Sequence, residues 1–404
     1  MSQPKLKVLF VLTPALDPNS GGVQMSTWKI GSWLASRGHE VAAFSFASEG
    51  HAAVSAIRLL HPEPSTGGEL YGGLGSLVEV LQQFEPDVVI NQMPYEHDIG
   101  EVLKENKAYL LLGCLRNTLY SVRGNLESYV ARVAPGPLKR FSSVGFVQGA
   151  FLAMHRRRHR ADLLKILQTY DHFVMFGPPN LEELRYFVPG FVEEGVRLIP
   201  NSIREVAETV PEKEKRLLYL GRLAHEQKRS ELILPIWERV SQLLPGWELD
   251  VVGDGPQREE LQGEAERRAL PRIHFHGRQV PDDYYRRASI FFMTSAFEGF
   301  PNTLVEAQSF GAIPVVFDSY PVASWLVEDQ VNGYLIPPLD IDQMAERIVE
   351  LAKNPQKTGM AEAALESARR FHVDRVGQLW QDLFDAEVPK HSRRFASKVP
   401  AESA

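Results

Sequence analysis

The stretch that decides the fold runs from Ser289 to Phe317 and reads SIFFMTSAFEGFPNTLVEAQSFGAIPVVF. Its two ends, SIFFM and IPVVF, are short apolar runs typical of buried strands. Between them, the residues from Asn302 to Phe310 predict a short helix, and Gly311 stands where a helix commonly ends on a glycine. A strand, a helix and a second strand in this order predict a parallel sheet covered by helices.

The same alternation of apolar strands and helix-like stretches extends along the chain in two series. The first series comprises KVLFVLT, HEVAAFSF, DVVINQ, AYLLLGCL, HFVMF and VRLIP, and the second comprises RLLYLG, WELDVVG, IHFHG, SIFFM and IPVVF. Helical patterns such as VQMSTWKIGSWLASRG and RSELILPIWERVSQLL follow individual strands. The chain is therefore predicted to be α/β with parallel sheets, whose ligands bind at the C-terminal ends of the strands.

The length and the polar stretch between the two series predict two domains. A chain of 404 residues suits two domains of roughly 200 residues, each with its own core. The charged segment IPNSIREVAETVPEKEK separates the series and is interpreted as the linker. Residues 1–200 and 201–372 are the predicted domains, and residues 388–404, with few apolar side chains, are predicted to be a disordered tail.

Cysteine usage and hydropathy predict a cytoplasmic protein. Cys114 is the single cysteine, so no disulfide can form within the chain, which fits a reducing compartment. The N-terminal run KVLFVL is too short for a signal sequence with its cleavage site, and a strand explains it better. Nowhere do 18 apolar residues follow one another without charges, so no membrane span is expected.

One segment reverses the acidic balance of the chain. The net charge is −7, yet residues 132–165 contain eight Lys or Arg residues against one acid, Asp162. Large apolar residues, among them Phe146 and Met154, are interleaved with these cations. Two interpretations remain open: the segment binds an anionic membrane surface or an acidic acceptor, or it is a solvated basic helix face. Nucleic acid is a poorer candidate partner because the chain is acidic overall and no reader motif accompanies the patch.

Two glutamates flank the turn in the first-quoted stretch. Glu298 and Glu306 are separated by seven residues and lie before and inside the predicted helix. The start of a helix offers unpaired N–H groups that favour a phosphate, and carboxylates suit hydroxyl groups. A nucleotide sugar carries both kinds of group, although a surface loop with two solvated glutamates would show the same letters.

A pair of glycines marks a second candidate site for an anion. Gly21 and Gly22 follow strand KVLFVLT and precede a predicted helix. Glycines at this position let the backbone approach a ligand closely, and the helix start favours negative charge. Taken alone, a Gly-Gly pair before a helix is more often only a turn.

The stretch around the two glutamates resembles the Glu-x7-Glu signature of the retaining glycosyltransferases of family 4. The resemblance extends from Lys7 to about Ala386 and is densest between Leu217 and Pro338. It implies the GT-B fold, in which two Rossmann-like domains face each other across a cleft. It also implies that a C-terminal helix at about 373–387 packs back on the first, acceptor-binding domain, while the second domain binds the nucleotide-sugar donor.

The loop GRLAHEQK resembles the Gly-Arg…Lys element of the same family. The resemblance implies that Arg222 and Lys228 hold the donor diphosphate, where fixed cations stabilise the negative charge of the leaving group. Glu306 would hydrogen-bond the ribose, and Glu298 the transferred sugar. Where the family usually has Gly after the lysine, this chain has Arg229. The remaining donor-binding candidates by resemblance are Gly21, Gly22, Arg278, Val280, Gly299, Phe300, Pro301, Asn302, Thr303 and Leu304.

The acceptor side matches the family less well. Family members often carry a histidine after the strand written here as AYLLLGCL, whereas this chain continues with Arg116 and Asn117. His97, which follows strand DVVINQ, is a further polar candidate. Retaining transfer in the family is drawn as same-face attack in which the departing phosphate oxygen takes the acceptor proton, so no protein base is required.

Two motifs point only weakly to other cofactors. Gly253 to Pro256 (GDGP) lacks the third glycine of a dinucleotide-binding fingerprint. The triplet Asp340-Ile-Asp342 could suggest a metal site, but its place before QMAERIVELAK suits a helix N-cap. No His or Cys cluster has metal-ligand spacing, so no metal or other cofactor is expected.

The sequence thus predicts a retaining glycosyltransferase that moves a sugar from a nucleotide diphosphate donor to a hydroxyl group of a sugar or lipid-linked acceptor. UDP is favoured over GDP, and the expected role is in polysaccharide or glycolipid synthesis at or near the inner face of the membrane. A sugar-nucleotide epimerase of the same fold, or a binding-only member, are the alternatives.

Overall fold

The computed structural model of the chain describes residues 4–47, 56–61, 70–133, 143–354 and 357–392. These residues fall into two compact units. The first takes in the described parts of Met1–Arg116, His155–Arg204 and Val373–Ala404, and the second those of Asn117–Met154 and Glu205–His372. Within these ranges, no helix is both long enough and apolar enough to pass through a bilayer.

Strands and helices alternate along most of the described chain. The strands are β1 (Lys7–Leu12), β2 (Glu40–Ser45), β3 (Arg58–Leu60), β4 (Val88–Asn91), β5 (Leu110–Cys114), β6 (His172–Met175), β7 (Val196–Leu198), β8 (Glu214–Leu220), β9 (Glu248–Val252), β10 (Ile273–Gly277), β11 (Ala288–Met293), β12 (Ile313–Phe317) and β13 (Tyr334–Ile336). The α-helices are α1 (Gly22–Ser36), α2 (Leu70–Phe84), α3 (His97–Glu105), α4 (Leu126–Val133), α5 (Gly145–Thr169), α6 (Pro178–Phe187), α7 (Ile233–Leu243), α8 (Arg258–Arg267), α9 (Asp282–Arg287), α10 (Asn302–Gln308), α11 (Pro321–Leu326), α12 (Ile341–Lys353), α13 (Lys357–Arg369) and α14 (Val373–His391). Short 3₁₀ turns occur at Arg123–Asn125, Glu193–Gly195 and Ser230–Leu232.

The first unit contains a parallel sheet in the order β3–β2–β1–β4–β5–β6–β7. The central strands β4 and β5 are buried along their whole length, since helices cover both faces of a parallel sheet. The strand order reverses between β1 and β4, and sheets of this kind bind ligands beyond the C-terminal ends of the strands at such a reversal. The loops at this point lead to Gly21 and His97.

Helix α14 returns to the first unit and packs against α1. At the contact, the Trp33 indole donates a hydrogen bond to Asp374 at 2.8 Å. The Trp33 ring lies so close to Gly377 that a Cβ atom there would stand 2.3 Å from it. Any larger residue at this position would therefore separate the two helices.

The second unit contains a parallel sheet in the order β10–β9–β8–β11–β12–β13. Its order reverses between β8 and β11, which are hydrogen-bonded neighbours. The loop after β8 carries Arg222 and Lys228, and the loop after β11 carries Glu298. Because parallel strands end at the same edge, the fold brings these loops together where ligands bind in such sheets.

The predicted α/β class with two parallel sheets is confirmed. The division of the chain differs from the predicted boundary at residue 200 in two respects. Residues 117–154 group with the second unit, and the chain passes between units at 204/205, within the predicted linker. The segment predicted as a tail, 388–404, begins as the last turn of α14, because Val388 is buried and Ser392 donates a hydrogen bond to Asp87 at 3.0 Å. Residues 393–404 lie outside the described residues.

Candidate active site

The centre of the candidate site is a buried ion pair between Lys228 and Glu298. The ammonium Nζ lies 2.5 Å from Oε1 of the carboxylate, and the side chains are only 19% and 7% exposed. The Ser295 hydroxyl donates to the same oxygen at 2.7 Å. The Gln227 amide donates to the other oxygen at 3.3 Å. Three donors, Lys228, Ser295 and Gln227, therefore fix the position of the Glu298 carboxylate.

Backbone contacts fix the loop that presents Lys228. Thr294 donates its hydroxyl proton to the Lys228 carbonyl at 2.7 Å. The Ala296 N–H donates to the carbonyl of Gln227, also at 2.7 Å. Both donors belong to the loop after β11, so the loop carrying the cation and the loop carrying Glu298 form one connected surface.

Arg222 is a second cation at this edge of the sheet. Its side chain is exposed, and among the described residues it has no ion-pair partner. The GDGP loop supports its backbone: Gly253 has φ +140°, and a Cβ there would lie 1.9 Å from the Gly221 carbonyl oxygen. A Cβ on Gly255, at φ +157°, would lie 2.3 Å from the Leu223 oxygen. The two glycines of the apparent dinucleotide motif thus allow close packing against the Arg222 loop, a role that the sequence analysis missed.

Glu306 lies on α10, the short helix predicted from the sequence. The helix covers Asn302–Gln308, and Gly311 after it has φ +74°, as expected for a glycine that ends a helix. The buried Tyr285 hydroxyl donates to Glu306 Oε2 at 3.0 Å. Burial, and then the nearby Glu306 charge, raise the pKa of Tyr285 well above its ordinary value, so the phenol remains a proton donor to this carboxylate.

The turn between the two glutamates is partly core. The Phe300 ring is 7% exposed and packs edge-on against Phe371, with ring centroids 5.3 Å apart. Leu304 is fully buried. Ligand contacts from these two residues would have to come from their backbone groups. Gly299 and Pro301 are also buried, whereas Asn302 and Thr303 are half-buried and Arg278 and Val280 are exposed after β10.

In the first unit, α1 begins at Gly22, directly after the predicted glycine pair. Gly21 is the N-cap residue and provides no side-chain cap, and no acidic residue lies in the first turn. Both glycines are exposed. The N–H groups of the helix start therefore have no side-chain cap, and anion binding at the glycine pair stays a prediction.

The acceptor-side candidates lie in different surroundings. His97 is the first residue of α3, and its Nε2 is 3.2 Å from Asp162 on α5. Arg116 follows β5 and its guanidinium reaches the Ser26 hydroxyl at 3.4 Å; burial lowers the pKa of Arg116. Asn117 is exposed, and its side chain accepts a hydrogen bond from the Thr118 N–H. Among the described residues, no hydrogen bond or ion pair joins His97 to Arg116.

The Asp340-Ile-Asp342 triplet has the structural role that the sequence analysis favoured. Asp340 caps α12 by accepting a hydrogen bond from the Gln343 N–H at 2.9 Å. Asp342 pairs with Arg239. In the described part of the chain, no three His, Cys, Asp or Glu side chains are arranged to hold a metal ion.

The described part of the basic segment is dominated by α5. Phe146 and Met154 on this helix are 86% and 56% exposed. Arg157 and Arg158 are exposed as well. Arg156 differs from its neighbours because its guanidinium donates to the Tyr186 carbonyl at 2.8 and 3.1 Å. Residues 134–142 of the segment lie outside the described residues.

Histidines on α5 form an aromatic stack in the first unit. The His159 ring stacks on Tyr95 and on His155, with centroid distances of 5.5 and 5.2 Å, and meets Phe187 edge-on. Burial, and then the adjacent His155, lower the pKa of His159 to about 4. The folded state therefore holds His159 neutral at physiological pH.

Comparison with known proteins gives the relatives of the second unit. Residues 203–371 match the family model described as glycosyl transferases group 1. Over 189 residues the chain is 26% identical to the amylovoran biosynthesis glycosyltransferase AmsD of Erwinia amylovora, covering 46% of this chain and 52% of that protein. It is 31% identical over 163 residues to a lipopolysaccharide 1,6-galactosyltransferase of Escherichia coli, covering 38% and 45%. The chain spans about half the length of the curated relatives it matches.

Solved structures resemble the chain over nearly its whole length. A sucrose-phosphate synthase from Thermosynechococcus elongatus aligns with a TM-score of 0.72 at 18% identity, covering 95% of this chain and 100% of that one. HepE from Anabaena, in complex with UDP-glucose, aligns with a TM-score of 0.69 at 17% identity, covering 94% and 100%. At sequence identities of 17–18%, the structural similarity shows that these proteins share a fold. The chain therefore has the GT-B type of fold, and residues 203–371 are similar to the glycosyl transferases group 1.

Proposed function

We propose that this protein is a retaining glycosyltransferase that transfers a sugar from a UDP-sugar to a hydroxyl group of a polysaccharide or glycolipid acceptor. The observation that carries the proposal is the largely buried pair of Lys228 and Glu298, together with the exposed Arg222 on the same loop as Lys228. A site that has cations and a carboxylate can bind a diphosphate and sugar hydroxyls at the same time.

The cations suit the leaving group of such a reaction. As the glycosidic bond breaks, the nucleotide diphosphate gains negative charge, which cations close to it stabilise. Arg222 is available as the structure stands because it has no ion-pair partner among the described residues. The Lys228 ammonium is paired with Glu298. It would bind the diphosphate either by leaving Glu298 or by contacting both groups at once.

The carboxylates suit the hydroxyl groups of the donor. The Glu298 carboxylate is held in place by its three donors, and its oxygens can accept hydrogen bonds from hydroxyls of the transferred sugar. Glu306, fixed by Tyr285, would accept from the ribose hydroxyls. In this scheme the departing phosphate oxygen takes the acceptor proton, and neither a metal ion nor a protein base takes part.

The class of donor and acceptor is suggested by the relatives. HepE of Anabaena is described in complex with UDP-glucose, and the Escherichia coli relative is named as a lipopolysaccharide galactosyltransferase. These names favour UDP over GDP and a polysaccharide or glycolipid as the product. Neither name specifies the sugar used by this chain.

The proposal is tested by incubating the protein with a panel of UDP- and GDP-sugars and following free nucleotide and sugar products separately. A transferase releases nucleotide together with a glycosylated acceptor, and the anomeric configuration of that product by NMR tests retention. An epimerase would change the sugar without needing an acceptor. A binding-only protein would show a thermal shift, about 2.7 kcal/mol of stabilisation at 100 times the dissociation constant, with no product.

We further propose that α5 places the enzyme on an anionic membrane, where a lipid-linked acceptor would reside. Phe146 and Met154 are large apolar side chains exposed on a helix whose next turns carry exposed arginines. Apolar side chains and cations together suit the interface of an anionic bilayer.

Vesicle co-sedimentation tests this attachment. Because each cation near such a surface contributes about 1 kcal/mol, Arg158→Gln should weaken binding to anionic vesicles by about fivefold. Arg375→Gln removes the same charge from an exposed position on α14 and is the matched control. Equal binding of wild-type protein to neutral and anionic vesicles would reject the proposal.

A further inference from the structure

Arg229, the residue after Lys228, has an unusual backbone conformation. Its φ and ψ are +46° and +45°, in the left-handed region that glycine adopts without cost and other residues rarely enter. A large charged side chain is thus present at a position where the backbone alone would favour glycine. Such an outlier next to a ligand-binding cation suggests that the side chain has a function.

The Arg229 side chain contacts a residue that lies about a hundred positions earlier in the sequence. Its Nη2 is 3.4 Å from Oδ1 of Asn125, in the 3₁₀ turn Arg123–Asn125. The amide nitrogen of the same Asn125 donates to the carbonyl oxygen of Glu226. One carboxamide therefore bonds to both ends of the tetrapeptide Glu226–Arg229, which contains Lys228.

The opposite side of this tetrapeptide is bonded to the loop after β11. Thr294 and Ala296 hold the carbonyl groups of Lys228 and Gln227, and Glu298 holds the Lys228 ammonium. If Lys228 exchanges Glu298 for a diphosphate, one of these attachments is lost. The contacts from Asn125 do not involve Glu298 and would persist through that exchange.

We propose that Asn125 and Arg229 form a clasp, together with the Glu226 carbonyl, that keeps Lys228 in place when its partner changes from Glu298 to the donor diphosphate. Both are positioning residues, and the function of the clasp depends on the proposed role of Lys228. The left-handed backbone at Arg229 is the conformation that directs its guanidinium to Asn125.

Steady-state kinetics with the UDP-sugar found in the donor panel tests the functional part. Arg229→Lys keeps the charge and the backbone conformation but replaces the guanidinium, and kcat/KM should fall about tenfold. The matched control is Arg272→Lys: Arg272 also has a positive φ, +55°, and its guanidinium bonds the carbonyls of Trp247 and Ser241, away from the site. The control should lower Tm yet leave kcat/KM within twofold of wild type. Unchanged kcat/KM in Arg229→Lys, or an equal loss in the control, would overturn the proposal.

A double-mutant cycle without ligand tests the clasp itself. Asn125→Ala and Arg229→Lys both remove the contact between the Asn125 side-chain carbonyl oxygen and the Arg229 guanidinium, so their combined effect on the urea midpoint should be smaller than the sum of the single effects. Additive effects would show that no clasp exists. If the wild-type protein binds no nucleotide, the proposed function is wrong, but the double-mutant cycle can still be non-additive. The failure of the proposed function and the failure of the clasp are therefore distinguishable.

Discussion

Replacing Glu298 with Gln removes the charge that neutralises Lys228 while keeping the shape of the side chain. Lys228 Nζ and Glu298 Oε1 lie 2.5 Å apart, and both side chains are largely buried, so solvent screens their interaction only weakly. A hydrogen bond to a charged group contributes about 1.5–3 kcal/mol. Because 1 kcal/mol shifts the Tm of a domain of this size by about 2–4 °C, the second unit should unfold about 3–12 °C lower in the variant.

The same variant should respond more strongly to nucleotide. UDP supplies a diphosphate to a lysine that has lost its partner, so saturating UDP should raise the Tm of Glu298→Gln by more than it raises that of the wild type. Differential scanning calorimetry with and without UDP measures both quantities. Glu350→Gln, which breaks an exposed pair with Arg347, is the control and should change Tm by only a few degrees. A variant that melts with the wild type, or gains less from UDP, would refute the role of the pair.

Three further predictions concern the loops and the histidine stack. Gly253→Ala should destabilise the protein by about 3 kcal/mol or more in urea unfolding, since its Cβ would lie 1.9 Å from a carbonyl oxygen; Gly263→Ala, in a helix with open space around it, should stabilise by up to about 1 kcal/mol. Glu306→Gln should weaken UDP and the complete donor by similar factors of about tenfold or more in calorimetric titration, because both carry the ribose. The folded-state pKa of His159 lies below its unfolded value, so its neutral form favours folding at pH 7 and this contribution is lost as pH falls from 6.5 towards 4. His159→Phe should therefore lose less stability than the wild type between pH 7 and pH 5, and an equal loss would show that another group titrates.

The fold was predictable because the strands carry a strong signal. Buried parallel strands such as β4 and β5 are continuous apolar runs, and this pattern alone predicts both strands. β3 and β13 were missed, since each has only three residues and no long apolar run. The grouping of residues 117–154 with the second unit could not be predicted either, because it depends on contacts between residues far apart in the chain, such as Asn125 with Arg229.

The candidate site was predictable in its members but not in its contacts. The motif spacing indicated Lys228 and Glu298 separately, whereas their pairing with each other depends on the adjacency of β8 and β11. The GDGP loop was interpreted only as a poor cofactor motif, since the letters do not show that Gly253 lies against Gly221. The resemblance makes Phe300 a predicted donor contact, but the letters do not show that its ring is only 7% exposed.

The most direct test of sugar transfer by the Lys228–Glu298 site compares the rate of UDP release between the wild type and Lys228→Ala. The substrate is the UDP-sugar that stabilises the protein most, and the reaction contains acceptor. Loss of one contact to the charge of the transition state costs about 3 kcal/mol. The rate of UDP release should therefore fall by about a hundredfold or more in the variant. The wild type should form glycosylated acceptor in proportion to the UDP released. Equal rates in the two proteins, or UDP release with no glycosylated product, would contradict transfer at this site.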